Sequence, residues 1–259
     1  GKLDNLETII FEFYSDWDYI SGFNKLTKLP KLKNIGFYGF PKNLFLNIEF
    51  LKLKNLEGIF YSNFKEGPII PKEFKNFKNL NSIILSVQTY PNSEKEFSKL
   101  SRVKSLENLV LAYVKINDTI ADSFEKFNFL KRLNLKNCKI NSPNLLFSSI
   151  GKKNDLIELK LSNNKLETLP KEIKYFKSLE IFYSSNNLLG TKLPLEFYKL
   201  NKLKSIEIQG SAIETIDDKI NNLKNLEVLK VYFNRINKFS DKLDNLKNLR
   251  TIYLNNNDL

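Results

Sequence analysis

The sequence predicts an α/β fold in which one short strand, repeated along the chain, stacks into a right-handed solenoid with a parallel sheet on its concave face. Three observations predict it. A leucine opens the pattern L-x-x-[LIF]-x-[hydrophobic or Ser] at Leu6, Leu32, Leu56, Leu80, Leu106, Leu130, Leu156, Leu179, Leu203, Leu226 and Leu249, always 23 to 26 residues after the last. A fixed period of this size marks a stack of one supersecondary unit. After each opening, apolar and polar residues alternate as they do in a half-buried strand. Between openings, a proline precedes apolar residues three to four apart, which is helical spacing.

The strand is clearest at Leu156-Ile157-Glu158-Leu159-Lys160-Leu161-Ser162. Leu159 and Leu161 fall on one side of it, and Glu158, Lys160 and Ser162 on the other. Strands this far apart in sequence cannot be joined by tight hairpins, so they must be parallel, with crossovers on the outer side. The crossover hand favoured in parallel sheets is right-handed. Ten steps of strand spacing give a sheet about 48 Å long.

Eight residues after the opening leucine the later repeats carry Asn164, Asn187, Asn234 and Asn257, with Cys138 and Ser211 as small substitutes. An asparagine amide there can satisfy backbone groups of adjoining coils that would otherwise be buried unpaired. The earlier repeats place Tyr14, Phe40, Phe64, Gln88 and Val114 at this position. A regular C-terminal half and a less regular N-terminal half are therefore expected, with the first strand the least regular.

The crossover phrases are Ile70-Pro71-Lys72-Glu73-Phe74, Leu169-Pro170-Lys171-Glu172-Ile173 and Leu193-Pro194-Leu195-Glu196-Phe197. Proline suits the first turn of a helix because its missing N–H has no partner there. Ser142-Pro143 followed by Leu145, Leu146 and Ile150, with Gly151 after them, reads as a helix with start and stop signals.

These features resemble leucine-rich repeats of the 23-residue bacterial type, leptospiral ones included, with the pattern L-P-x-x-I followed by L-x-x-L-x-L-x-x-N-x-L. The resemblance covers essentially the whole chain. It implies a horseshoe-shaped solenoid, with the parallel sheet on the concave face and short helices, 3-10 turns and loops on the convex face. Residues 1–259 read as a single domain of about eleven repeats, cut from a longer array.

At 42% apolar, the chain can bury a long continuous core. No run of eighteen apolar residues occurs, so no membrane-spanning helix is expected. The single cysteine, Cys138, falls at an asparagine position and reads as a buried structural thiol. One cysteine rules out intramolecular disulfides, including cysteine-clamped caps. That admits a cytoplasmic protein or an exported bacterial one, and a bacterial secreted or cell-surface setting is the expectation.

The sequence has 41 Lys plus Arg against 29 Asp plus Glu, a net charge of +12. The lysines recur through crossover phrases such as Lys75-Asn76-Phe77-Lys78 and alternate with apolar residues, as a solvated face does. No nucleic-acid partner is expected from them. A basic surface that attaches to anionic polymers is the alternative, and such binding would weaken with salt.

Catalytic chemistry has little to work with. The chain has no histidine, which removes the usual general base and the commonest zinc ligand. No phosphate-cradling glycine motif occurs. Asp217-Asp218 reads as solvated charge, and Asp16-x-Asp18 lacks the later Gly and Glu of a calcium loop. A non-enzymatic protein with no cofactor and no metal site is expected.

In this repeat family the residues two, four and six places after the opening leucine point from the concave face, as does much of the seventh. The fourth place begins Ile10, Gly36, Phe60, Ile84 and Val110, with no polar side chain among them. Phe13, Tyr38, Val87 and Tyr113 add to that half, and Tyr183, Tyr232, Phe233 and Tyr253 form a second cluster. Contiguous exposed apolar residues mark contact surfaces, and aromatic anchors favour their centres. The expected role is a protein–protein interaction module that binds its partner through Ile10, Tyr38, Phe60, Ile84, Val110, Tyr113, Tyr183, Tyr232, Phe233 and Tyr253. The bland alternative covers the N-terminal column with a cap, with an irregular loop such as Ser15 to Lys28, or with a second copy of the chain in a homodimer. A recognition domain within a larger effector or signalling protein is the remaining alternative.

Overall fold

The computed structural model describes residues 3–13, 23–39, 50–89, 93–152 and 155–259. They form two compact units, one of residues 1–115 with 126–130, the other of residues 116–125 with 131–259.

In the first unit the strands β1 (Thr8–Phe13), β2 (Asn34–Gly39), β3 (Gly58–Glu66), β4 (Ser82–Thr89) and β5 (Asn108–Ala112) pair in parallel and in chain order. The register aligns equivalent places of each repeat: Ile10, Gly36, Phe60, Ile84 and Val110 lie side by side. The alternate residues Ile35, Phe37, Ile59, Tyr61, Ile83, Leu85, Leu109 and Leu111 are buried. Behind them the crossovers supply a phenylalanine spine in which Phe50 packs 6.2 Å from Phe37 and 6.2 Å from Phe74, and Phe74 packs edge-on to Phe77 at 5.3 Å. Each such ring buried is worth about 1.5–3 kcal/mol. The crossover elements include the turn-length α1 (Phe23–Leu26) and α2 (Ser93–Leu100). Within the stretch read as an irregular loop, α1 is helical; residues 14–22, which include Asp16 and Asp18, lie outside the described residues.

The irregularity expected of this half takes a definite form. Its strands run five to nine residues, against three for most of those in the second unit. The β3–β4 register shifts between Ser62 and Phe64, where Asn63 adopts a left-handed φ of 63°. That bulge brings Val87 opposite Phe64, so β4 keeps its alternation and Val87 turns into the core, 1% exposed. The expectation that Val87 joins the outward face is thereby corrected: a strand that does not turn at the seventh place sends that side chain inward.

The second unit contains α3 (Asp118–Ser123), β6 (Arg132–Lys136), α4 (Pro143–Gly151), β7 (Glu158–Lys160), β8 (Ile181–Tyr183), β9 (Ser205–Glu207), β10 (Thr215–Ile216), β11 (Val228–Lys230), β12 (Lys238–Phe239) and β13 (Thr251–Tyr253). Neighbouring repeat strands pair in parallel, and β10 with β12 forms a small second sheet within the crossovers. The second sheet was not expected from the sequence. Its signal is the recurrence of Ile-x-x-[Ile/Phe] at Ile213–Ile216 and Ile236–Phe239.

The asparagine ladder forms as expected. Asn187 Oδ1 accepts from the backbone N–H groups of Asn164 and Leu166, each at 3.0 Å, while its Nδ2 donates to the carbonyls of Leu161 and Ser184. Asn234 repeats this with Ser211, Ile213, Ile208 and Val231. Cys138 is buried and its N–H donates to Asn164 Oδ1 at 2.7 Å, so the thiol occupies a structural place.

The crossovers correct the reading of the prolines. Pro71 and Pro170 stand one residue before 3-10 turns, at Lys72–Asn76 and Lys171–Tyr175, in extended conformation with ψ of 145° and 151°. Among the described residues only Pro143 sits inside a first helical turn, after Ser142. The coil is too short for a longer helix in most repeats, and the tighter 3-10 turn closes it. Gly151 is not a stop signal either: it is the last residue of α4 and is buried, and a Cβ there would stand 2.5 Å from Tyr175 Cβ.

Candidate functional site

The outward face of the first unit is an apolar strip between polar ladders. On one side Asn34 Nδ2 donates to Thr8 Oγ1 at 3.3 Å, and Asn108 Nδ2 to Ser82 Oγ at 2.8 Å. Ser62, Ser86 and Ala112 follow Tyr38 on the other side. Within the strip Ile10 is 66% exposed, whereas Phe60, Ile84 and Val110 are half-buried. A Cβ at Gly58 would lie 3.2 Å from Phe60 Cζ, so the missing side chain lets that ring lie down on the sheet. Tyr38 is exposed beside the strip; the side chain of Phe13 lies outside the described residues.

The face of the second unit is charged where the first is apolar. Its fourth-place row pairs Asn134, Lys160, Tyr183, Glu207, Lys230 and Tyr253 in register. Arg132 and Lys160 both engage Glu158. Lys230 Nζ donates to Glu207 at 3.2 Å and lies 5.9 Å from the centre of the Tyr253 ring. That hydrogen bond to Glu207 holds the Lys230 ammonium above the usual lysine range, with the nearby Tyr183 and Tyr232 adding to the shift. Tyr232 packs 5.5 Å from Phe233 and 6.2 Å from Tyr253, so these three rings form one cluster. Tyr183 stands apart from the three, under Lys160 at 5.2 Å, with its hydroxyl 3.4 Å from Ser205 Oγ.

The seventh place of the repeat carries the sharpest signal. There the backbone turns left-handed in Gly39, Asn63, Tyr113, Asn137, Asn163, Asn186, Gly210, Phe233 and Asn256. Glycine and asparagine suit that conformation, whereas a bulky side chain in it is an outlier. Tyr113 (φ 66°) and Phe233 (φ 53°) are such outliers, and both rings are more than half exposed, at 55% and 59%. The sequence placed both residues on the face. The strain was missed, although Asn and Gly at the same place in the other repeats signalled it.

Asp217 and Asp218 have structural partners. Asp217 Oδ1 accepts from the Lys219 N–H at 2.8 Å, and Asp218 is held by Ser240 and Lys242. Among the described residues no three His, Cys, Asp or Glu side chains are grouped to hold a metal, and no helix is long and apolar enough to cross a membrane.

A family model described as a leucine-rich repeat region matches residues 110–259. Cattle (Bos taurus) osteomodulin is 31% identical over 133 residues, which is 51% of this chain and 31% of osteomodulin, so the chain spans about a third of that relative. Two solved structures share the fold at low identity. An internalin, inlF, from Listeria monocytogenes superposes with a TM-score of 0.66 at 18% identity, over 98% of this chain and 75% of that one. The TLR13–ssRNA13 complex superposes with a TM-score of 0.65 at 20% identity, over 96% of this chain and 38% of the other. With strands one repeat apart, an asparagine ladder and a family match across more than half its length, the chain belongs to the leucine-rich repeat family.

Proposed function

We propose that the protein is a non-enzymatic interaction module whose outward sheet faces bind a protein partner, with Tyr113 anchoring contact on the first unit and Phe233, Tyr232 and Tyr253 on the second. The observation that carries this reading is the use of exposed aromatics at left-handed positions that other repeats give to asparagine or glycine. Local strain of this kind persists where something other than folding requires the side chain. Exposed Tyr and Phe supply the rigid, large contact areas that interfaces concentrate at their centres. The half-buried strip of Phe60, Ile84 and Val110 would extend the first patch, with Ile10 and Tyr38 at its rim. Tyr183 would extend the second.

The test is capture of proteins from lysates by the wild-type chain and by Tyr113→Asn and Phe233→Asn variants. Asparagine is the repeat's own choice at this place and suits its left-handed backbone, and a melting temperature that does not fall separates weaker capture from unfolding. A captured protein retained equally by both variants overturns the assignment. The narrower reading, a bacterial secreted or surface protein, rests on the single cysteine and the Lys-, Asn- and Ile-rich composition. Fractionation of the cells that make the protein tests it.

A further inference from the structure

The crossover side of the first unit holds a basic cavity of about 1000 Å³. Lys75, Lys78, Arg102, Lys104 and Lys126 line it, and among the described residues no carboxylate does. None of these five has an ion-pair partner among the described residues. Other lysines of the chain stand beside carboxylates: Lys99 pairs with Glu96 at 2.9 Å, Lys204 with Glu180 at 2.8 Å and Lys242 with Asp218 at 2.8 Å. An unneutralised group of cations in a concave site focuses its field on the space it encloses.

The wall is fixed. Ser105 Oγ donates to the carbonyls of Phe77 (3.2 Å) and Leu80 (2.7 Å), tying one crossover to the next, and the Ser101 hydroxyl bonds back to the Ser98 carbonyl. A second cavity, of about 810 Å³, shares Lys75 and Lys78 and adds Lys52 and Lys54 with one carboxylate, Glu73, so a net basic surface extends beyond one pocket.

We propose that this groove binds an anionic polysaccharide through its sulfate or phosphate groups. The cations would neutralise the charged substituents, and Asn76, Ser98 and Ser101 at the wall supply hydrogen-bonding groups for sugar hydroxyls. The lining favours this ligand over other polyanions. Single-stranded nucleic acid is held by aromatic platforms on which bases stack, and the aromatic residue of the wall, Phe77, is buried at 3% exposure. Anionic membranes attract basic clusters beside a membrane-spanning helix or on a surface-lying amphipathic one, whereas these cations come from separate crossovers and line one cavity. The site is distinct from the outward sheet faces and does not depend on the protein-binding reading.

The experiment measures binding of a heparin-derived octasaccharide to the whole chain at several salt concentrations. It compares the wild type with the triple variant Lys78→Gln, Arg102→Gln, Lys104→Gln and with a charge-matched control, Lys199→Gln, Lys224→Gln, Lys247→Gln. The expected result is affinity that falls with salt, a loss of about tenfold or more in the cavity variant, and a salt slope shallower by about three. The control should stay within about twofold of the wild type. Equal loss in both variants, or none in the cavity variant, overturns the site. A single-stranded oligonucleotide or anionic vesicles displacing the octasaccharide at lower charge concentration than unlabelled octasaccharide overturns the assignment to a saccharide.

Discussion

The side-chain oxygen of Asn187 accepts the backbone N–H of Asn164 from the preceding coil at 3.0 Å, while Asn164 reaches back in the same way to Cys138 at 2.7 Å. Each asparagine thus closes its own turn and ties it to the one before. Removing Asn187 leaves two buried N–H donors and two carbonyls without that partner. Asn187→Ala is expected to destabilise the chain by about 3 kcal/mol, read as a lower urea midpoint. Asn186→Ala, one residue earlier and exposed, should cost only the left-handed backbone penalty of about 1 kcal/mol. Equal losses at the two positions would show that the buried amide is not what holds the coils together.

Tyr113 and Phe233 predict the opposite sign. Replacing Tyr113 by Asn relieves a left-handed tyrosine whose ring is half in water, and should stabilise the chain by about 0.5–1 kcal/mol. Phe233→Asn relieves the same strain but gives up the ring contact with Tyr232, worth about 0.5–1.5 kcal/mol, so its melting temperature should change little. A fall in melting temperature for Tyr113→Asn would mean that the ring contributes to the fold and is not held there for contact.

Why the fold was legible and the site only partly so follows from which interactions repeat. Leu159 and Leu161 have buried counterparts through both units, and Asn187 has counterparts in Asn164, Asn234 and Asn257, so their spacing is printed in the sequence many times over. Val87 points inward because β4 runs straight through the seventh place, where most other repeats turn left-handed, and a single exception leaves no periodic trace. Lys75 and Lys78 read as part of a solvated face because sequence shows charge but not which cations the fold gathers around one cavity. Their distinction lies in their convergence with Arg102, Lys104 and Lys126 on one cavity that no carboxylate among the described residues lines.

Gly151 yields a prediction that runs against helix propensity. In an exposed helix, Gly→Ala stabilises by up to about 1 kcal/mol. At the end of α4 the added methyl would stand 2.5 Å from Tyr175 Cβ, an atom that cannot move without the 3-10 turn carrying it. Gly151→Ala should therefore destabilise by about 1–3 kcal/mol, and Tyr175→Gly in the same chain should recover part of that loss. A single variant as stable as the wild type would show that the α4 crossover gives way freely.

Tyr198 sets an alkaline limit. Burial pushes its phenol up to about 12 from an ordinary value of 10.0, and the Asp217 carboxylate adds to the rise, while the Asp217 backbone opposes it from beyond hydrogen-bond geometry. Below the unfolded value the phenol is neutral in both states and contributes no pH dependence. Above it the unfolded chain releases the proton and the folded chain holds it, so stability falls by about 1.4 kcal/mol per pH unit until the folded value is reached. Tyr198→Phe keeps the ring contact with Phe197 and removes the proton. The difference in urea midpoint between variant and wild type should be constant up to pH 9 and then widen in the variant's favour between pH 10 and 12. A difference that stays flat across that window would mean the hydroxyl reaches water in the folded chain.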